Sequence, residues 1–144
     1  MLHPQDFEHH YVTLNGIRMH YAQAGQGPRL LVLLHGFPEC WWSWRHQLAL
    51  FRDTPALAAR YTLIAPDLRG YNETDRPGWG YELDVLVQDV VELIRALAVH
   101  WNYTHEPEYA TVDSAGGFAE AGLLKLNCDK ALAAATGRAA GSCN

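Results

Sequence analysis

The hydrophobic and polar positions of this chain change period several times, and each change marks an element. His10 to Leu14 and Ile17 to Ala22 alternate apolar with polar residues on either side of Asn15-Gly16. Both turn positions accept positive φ, so the pattern predicts a β-hairpin. Gly25-Gln26-Gly27-Pro28 turns the chain into Leu30-Leu31-Val32-Leu33-Leu34, which is apolar without interruption. Such a run predicts a strand covered on both faces in the middle of a parallel sheet. It stops at His35-Gly36-Phe37-Pro38, where Gly36 takes angles denied to other residues and Pro38 cannot extend a strand. Trp41, Trp44, Leu48 and Phe51 recur at helical spacing, and Tyr61 to Ala65 is a second short strand stopped by Pro66. Strand, helix and strand in that order predict a right-handed parallel crossover. After a loop over 67–80, Leu83, Leu86, Val87, Val90, Val91, Ile94 and Leu97 form the stripe of a long helix, with Glu82 and Asp84 near its N-terminal end.

Beyond Ala98 the periodicity weakens. His100 to Glu108 is a polar connection containing Pro107, and Tyr109-Ala110-Thr111-Val112 is a weak strand. From about Ala131 to Asn144, Ala and Gly recur without an apolar period, which predicts disorder. The expected organisation is one partial domain over 1–126 and a disordered tail over 127–144. Neither an internal repeat nor a second domain is expected.

Composition narrows the function classes. At 144 residues and 49% hydrophobic, the chain is long and apolar enough to bury a core. A net charge of −5 argues against nucleic acid, whose phosphates require a basic face. There is no apolar run of membrane-spanning length, and Met1-Leu2-His3-Pro4-Gln5-Asp6 lacks the basic and apolar regions of a signal peptide. Cys40, Cys128 and Cys143 show no metal-ligand spacing and make a poor disulfide framework. The expectation is a soluble, cytoplasmic protein with no cofactor and no metal.

Three separated motifs agree in order and spacing: Leu30 to Pro38; Glu39-Cys40-Trp41-Trp42-Ser43-Trp44-Arg45-His46-Gln47-Leu48; and Ala65-Pro66-Asp67-Leu68-Arg69-Gly70-Tyr71-Asn72-Glu73-Thr74-Asp75-Arg76-Pro77. In this order they resemble the N-terminal third of α/β-hydrolase-fold enzymes, specifically the epoxide hydrolase branch, with haloalkane and haloacetate dehalogenases as near relatives. The resemblance runs from about Tyr11 to Ala98. It implies an α/β fold: a partial α/β-hydrolase in which an N-terminal β-hairpin leads into a mostly parallel sheet with flanking helices. Since that family places an acid and a histidine after its nucleophile, the chain is expected to be truncated.

The resemblance also implies a chemistry. A rigid backbone N–H just past a buried strand can bind a developing oxyanion. In the family the His35-Gly36-Phe37-Pro38 motif does this through the N–H at Phe37, with a cis peptide before Pro38. The plain alternative is a strand-ending turn. His35 reads as a structural histidine, because the family's base comes from the far C-terminal side. Phe37 has no side-chain donor for a departing halide, which favours epoxide or ester chemistry over dehalogenation.

The nucleophile elbow has one candidate, Thr111-Val112-Asp113-Ser114-Ala115-Gly116-Gly117-Phe118. Aligning its glycines with the family's closing pair puts Ser114 at the nucleophile and makes Ala115 the second oxyanion donor. Asp113, the residue type that epoxide hydrolases use, stands one place early. Val112 crowds a turn that wants a small residue. A loop with Asp113 or Ser114 capping a helix over 118–125 is the structural alternative. No histidine follows Ser114, and His100 and His105 precede it, against the chain order nucleophile, acid, histidine.

His9 and His10 belong to no recognisable site. Trp41, Trp42 and Trp44 read as packing. The family's loop around Asp67 and Arg69 is structural and braced by hydrogen bonds. Asn72 stands where the family has Gly, and Asn tolerates left-handed angles. Tyr71 and Tyr81 are not assigned as epoxide-activating tyrosines. Three functions follow as expectations: an epoxide hydrolase-like hydrolase acting on a small-molecule epoxide, in truncated or inactive form; a serine esterase using Ser114 on an ester; or a non-catalytic module whose exposed sheet edge self-associates.

Overall fold

The structure is a computed structural model that describes residues 1–100. The hairpin forms as its alternation predicts: β1 (Glu8–Leu14) pairs antiparallel with β2 (Ile17–Ala24), and Leu14 faces Ile17 across the turn. Asn15 and Gly16 sit at φ 44° and 76°, the two positive values this tight turn requires. β3 (Arg29–Val32) and β4 (Tyr61–Pro66) run parallel, with Leu31 opposite Leu63. β4 also pairs antiparallel with β2, so the sheet order is β1-β2-β4-β3.

β4, which has partners on both sides, is buried from Thr62 to Pro66. Among the described residues β3 is one of the two outer strands, with β1 at the other end, and its Leu30 and Leu31 are half-buried; the strand expected over 109–112 lies outside these residues. The apolar run of β3 reports the faces of the strand and says nothing about how many neighbours its edge has.

Between β3 and β4 the chain makes a 3-10 turn (Trp41–Trp44), then α1 (Arg45–Asp53) and a short α2 (Pro55–Arg60). The predicted helix is thus split in type, and α2 lies beyond the apolar spacing that predicts it. The sequence signals of α2 are Thr54 at the N-cap position, Pro55 in the first turn, where the missing N–H costs nothing, and the helix-forming Ala56, Ala58 and Ala59. The long helix α3 spans Leu83–His100.

Side-chain parity then builds two cores. Ala22, Ala24, Leu63 and Ala65 face Trp41, Trp44 and Leu48 on one side of the sheet. Ile17, Met19, Tyr21 and Ile64 face Leu93 and Leu97 of α3 on the other. The predicted α3 stripe needs one correction. Asp89 and Leu93 are buried while Leu83 is 74% exposed, because the inward face turns toward Arg69 near its start.

No helix among the described residues is long and apolar enough to cross a membrane.

Candidate functional site

The turn after β3 is held by His35. Its Nδ1 donates to the Gly36 carbonyl at 3.0 Å, and its Nε2 accepts the Leu68 N–H at 3.0 Å. One ring nitrogen gives and the other receives, so the ring is neutral and both positions are occupied. His35 is buried, with the Tyr71 ring edge-on at 4.9 Å. Such a histidine positions a loop and has no free nitrogen for base catalysis, as expected from the sequence.

Gly36 and Glu39 close the turn by a 2.9 Å backbone bond, and the Phe37–Pro38 peptide is cis. Among the described residues the Phe37 N–H meets no acceptor, and the Phe37 side chain is 86% exposed. A half-buried strand, a clamped histidine and an amide unengaged among the described residues therefore follow one another directly.

The loop after β4 braces this turn from behind. Asp67 is fully buried and accepts the Trp41 N–H at 2.9 Å, His20 Nδ1 at 2.7 Å and Asn72 Nδ2 at 2.9 Å. Burial pushes its carboxyl upward, but the hydrogen bonds from His20, Trp41 and Asn72 outweigh that and hold it below the ordinary carboxylate range. Thr74 Oγ1 donates to the Asp67 carbonyl and accepts the His20 N–H. Asn72 sits at φ 40°, so the expected left-handed turn is present. Asp67 and Arg69 are structural, as the resemblance implies.

His9 lies in β1 diagonally across from His20, with His9 Nδ1 2.8 Å from His20 Nε2. Residues that far apart in sequence share no motif, and only the hairpin register brings them together. With Glu73 they form the one cluster among the described residues able to hold a metal ion. Cys40 is half-buried and its thiol is pushed up by burial, so it is not a primed nucleophile. Asp113, Ser114 and Ala115 lie outside the described residues, as do His105, the weak strand over 109–112 and the tail.

A parallel β3–β4 pair, a helix between them and an exposed turn at the end of β3 define an α/β protein, a class whose open sheets bind ligands outside the carboxyl ends of their strands. The family model of the alpha/beta hydrolase fold matches residues 29–100, and the chain belongs to that family. Within it the chain is epoxide hydrolase-like. It is 44% identical over 92 residues to a soluble epoxide hydrolase of Corynebacterium sp. (strain C12), covering 64% of this chain and 30% of that protein. It is 45% identical over 94 residues to epoxide hydrolase 4 of Mus musculus, covering 62% and 24%. The crystal structure of an epoxide hydrolase from Vigna radiata superposes with a TM-score of 0.62 at 38% identity, over 78% of this chain and 33% of that one. The chain thus spans about a third or less of the length of these relatives.

Proposed function

We propose that residues 1–100 form the oxyanion-loop portion of an epoxide hydrolase-like active site, acting on a small-molecule epoxide. In that chemistry a carboxylate opens the epoxide to give a covalent ester, and a histidine-activated water then releases the diol. When water adds to the ester carbonyl, its oxygen becomes negative, and the Phe37 N–H is the donor that meets it. Asp113 is the carboxylate of that reaction, whereas Ser114, with Ala115 as the second donor, is the nucleophile of the esterase alternative. The observation that carries this reading is the His35 clamp, which fixes the turn on both sides while leaving the Phe37 N–H without an acceptor among the described residues.

The 144 residues contain no histidine after Ser114 to activate water. The purified chain should therefore show negligible turnover of styrene oxide. Robust diol formation would overturn that expectation. Intact-mass analysis separates the nucleophiles: an epoxide-derived adduct on Asp113 supports the epoxide reading, and fluorophosphonate labelling of Ser114 supports an esterase.

A second reading, a binding module that self-associates, is favoured by β3 pairing on one side only among the described residues. A monomeric elution profile with cooperative melting would count against it.

A further inference from the structure

His9 and His20 stand between two groups that only accept hydrogen bonds. At one end His9 Nε2 lies 2.8 Å from the Pro4 carbonyl oxygen. At the other, His20 Nδ1 lies 2.7 Å from Asp67 Oδ2. Asp67 is a carboxylate held below its ordinary range, so it too accepts. Both outer nitrogens must therefore carry protons. Two neutral imidazoles would then be left pointing bare lone pairs at each other across the 2.8 Å between His9 Nδ1 and His20 Nε2. That contact is attractive only if something positive lies in it.

We propose that the His9–His20 pair holds one proton more than two neutral imidazoles, shared between the facing nitrogens, and that this proton fastens the N-terminal turn to the loop behind the oxyanion turn. Four ring nitrogens then carry three protons, and the single positive charge lies against Asp67. The ring geometry fits a straight N–H···N bond. The ring planes are 19° apart, and the 5.1 Å between centroids equals the 2.8 Å nitrogen gap plus one ring radius on each side. The rings therefore meet edge to edge.

A metal ion fits less well. Two imidazole nitrogens on one tetrahedral zinc, each at about 2.0–2.1 Å, would stand about 3.3 Å apart. Glu73, the third member of the cluster, is already engaged by the Tyr11 hydroxyl.

The other groups around the pair are few. Tyr11 tilts against His20, and the Arg18 guanidinium lies over the Tyr11 ring at 3.6 Å. The Trp41 and His9 rings meet at right angles with centroids 5.0 Å apart, and Thr74 binds the His20 backbone. Asp67 and Glu73 are the carboxylates, so the setting favours a cation. The proton's reach follows from Asp67, whose other oxygen holds the Trp41 N–H just past Pro38. When the pair loses its proton, one of the three contacts becomes repulsive and the line from Pro4 to Trp41 loosens.

The test is long-range 1H–15N spectroscopy of the full chain with labelled histidine, followed through a pH titration. Three protonated ring nitrogens out of four in His9 and His20 are expected at neutral pH, falling to two as pH rises further, with a concurrent shift of the Trp41 amide. Two variants separate the proton from plain packing. His9→Gln supplies an acceptor to His20 Nε2–H and should keep the titration seen at Trp41. His9→Leu supplies none and should abolish it. Two protonated nitrogens at neutral pH, equal behaviour of the two variants, or stoichiometric Zn²⁺ binding at this pair would each overturn the proposal.

Discussion

Arg69 and Asp89 face each other as a two-pronged ion pair, with Nε to Oδ2 at 2.7 Å and Nη2 to Oδ1 at 2.8 Å, both side chains essentially without solvent contact. Asn15 adds its side-chain amide to Asp89 at 2.8 Å and its carbonyl to Arg69 at 3.2 Å. Hairpin turn, post-β4 loop and α3 thus meet at one buried charge pair. Removing one partner of such a pair leaves the other charged and dry, at a cost of roughly 3–5 kcal/mol. Asp89→Ala should lower the unfolding free energy by that amount, read as a lower urea midpoint at unchanged slope. Adding Arg69→Met should recover part of it, giving a double-mutant cycle far from additive.

Asp67 sets an acid limit on stability. Its folded-state carboxyl is held below the ordinary value, so the unfolded chain binds protons at a higher pH than the folded one. Its contribution is complete above the unfolded value and is lost as pH falls through the folded one. Denaturant midpoints should therefore drop on acidification. In Asp67→Asn that part of the slope should vanish, alongside a lower midpoint at neutral pH.

His35→Ala removes the acceptor of the Leu68 N–H and the donor to the Gly36 carbonyl. An unpaired buried donor costs about 1–3 kcal/mol. Amide exchange at Leu68 should accelerate most, read by native-state hydrogen exchange. Unchanged protection there would refute the clamp.

Two glycines should respond differently. A Cβ on Gly27 would lie 2.0 Å from the Arg60 carbonyl carbon and 2.1 Å from the Tyr61 nitrogen, both backbone atoms. Gly27→Ala should cost about 3 kcal/mol, the upper end of overpacking. A Cβ on Gly16 meets nothing within 4 Å, so Gly16→Ala should cost only about 1 kcal/mol, from its φ of +76° alone. Thermal melts of the two variants rank them.

Local pattern made most elements legible. Asn15-Gly16 fixed the hairpin because its angles are properties of those residues, and the unbroken apolar run of Leu30 to Leu34 marked a strand because period survives without partners. The same run does not say which strands flank β3, since a strand's faces are written in its residues and its edges are not; among the described residues β4 does so on one side. α3 was placed by its stripe, but Asp89 reads there as a polar position until Arg69 is brought against it.

By itself, then, the sequence determined the elements, their order, the turn at His35-Gly36-Phe37-Pro38 and the resemblance that goes with it. Each is set by neighbours along the chain. Tertiary structure alone decided that His35 is clamped on both sides, that Arg69 finds Asp89, and that His9 meets His20 in front of Asp67. Those pairings depend on strand register and on which helix face turns inward. The hairpin register follows from the Asn15-Gly16 turn, but which helix face turns inward and which loop meets His20 are set by no short stretch, because they minimise the free energy of burying several segments at once.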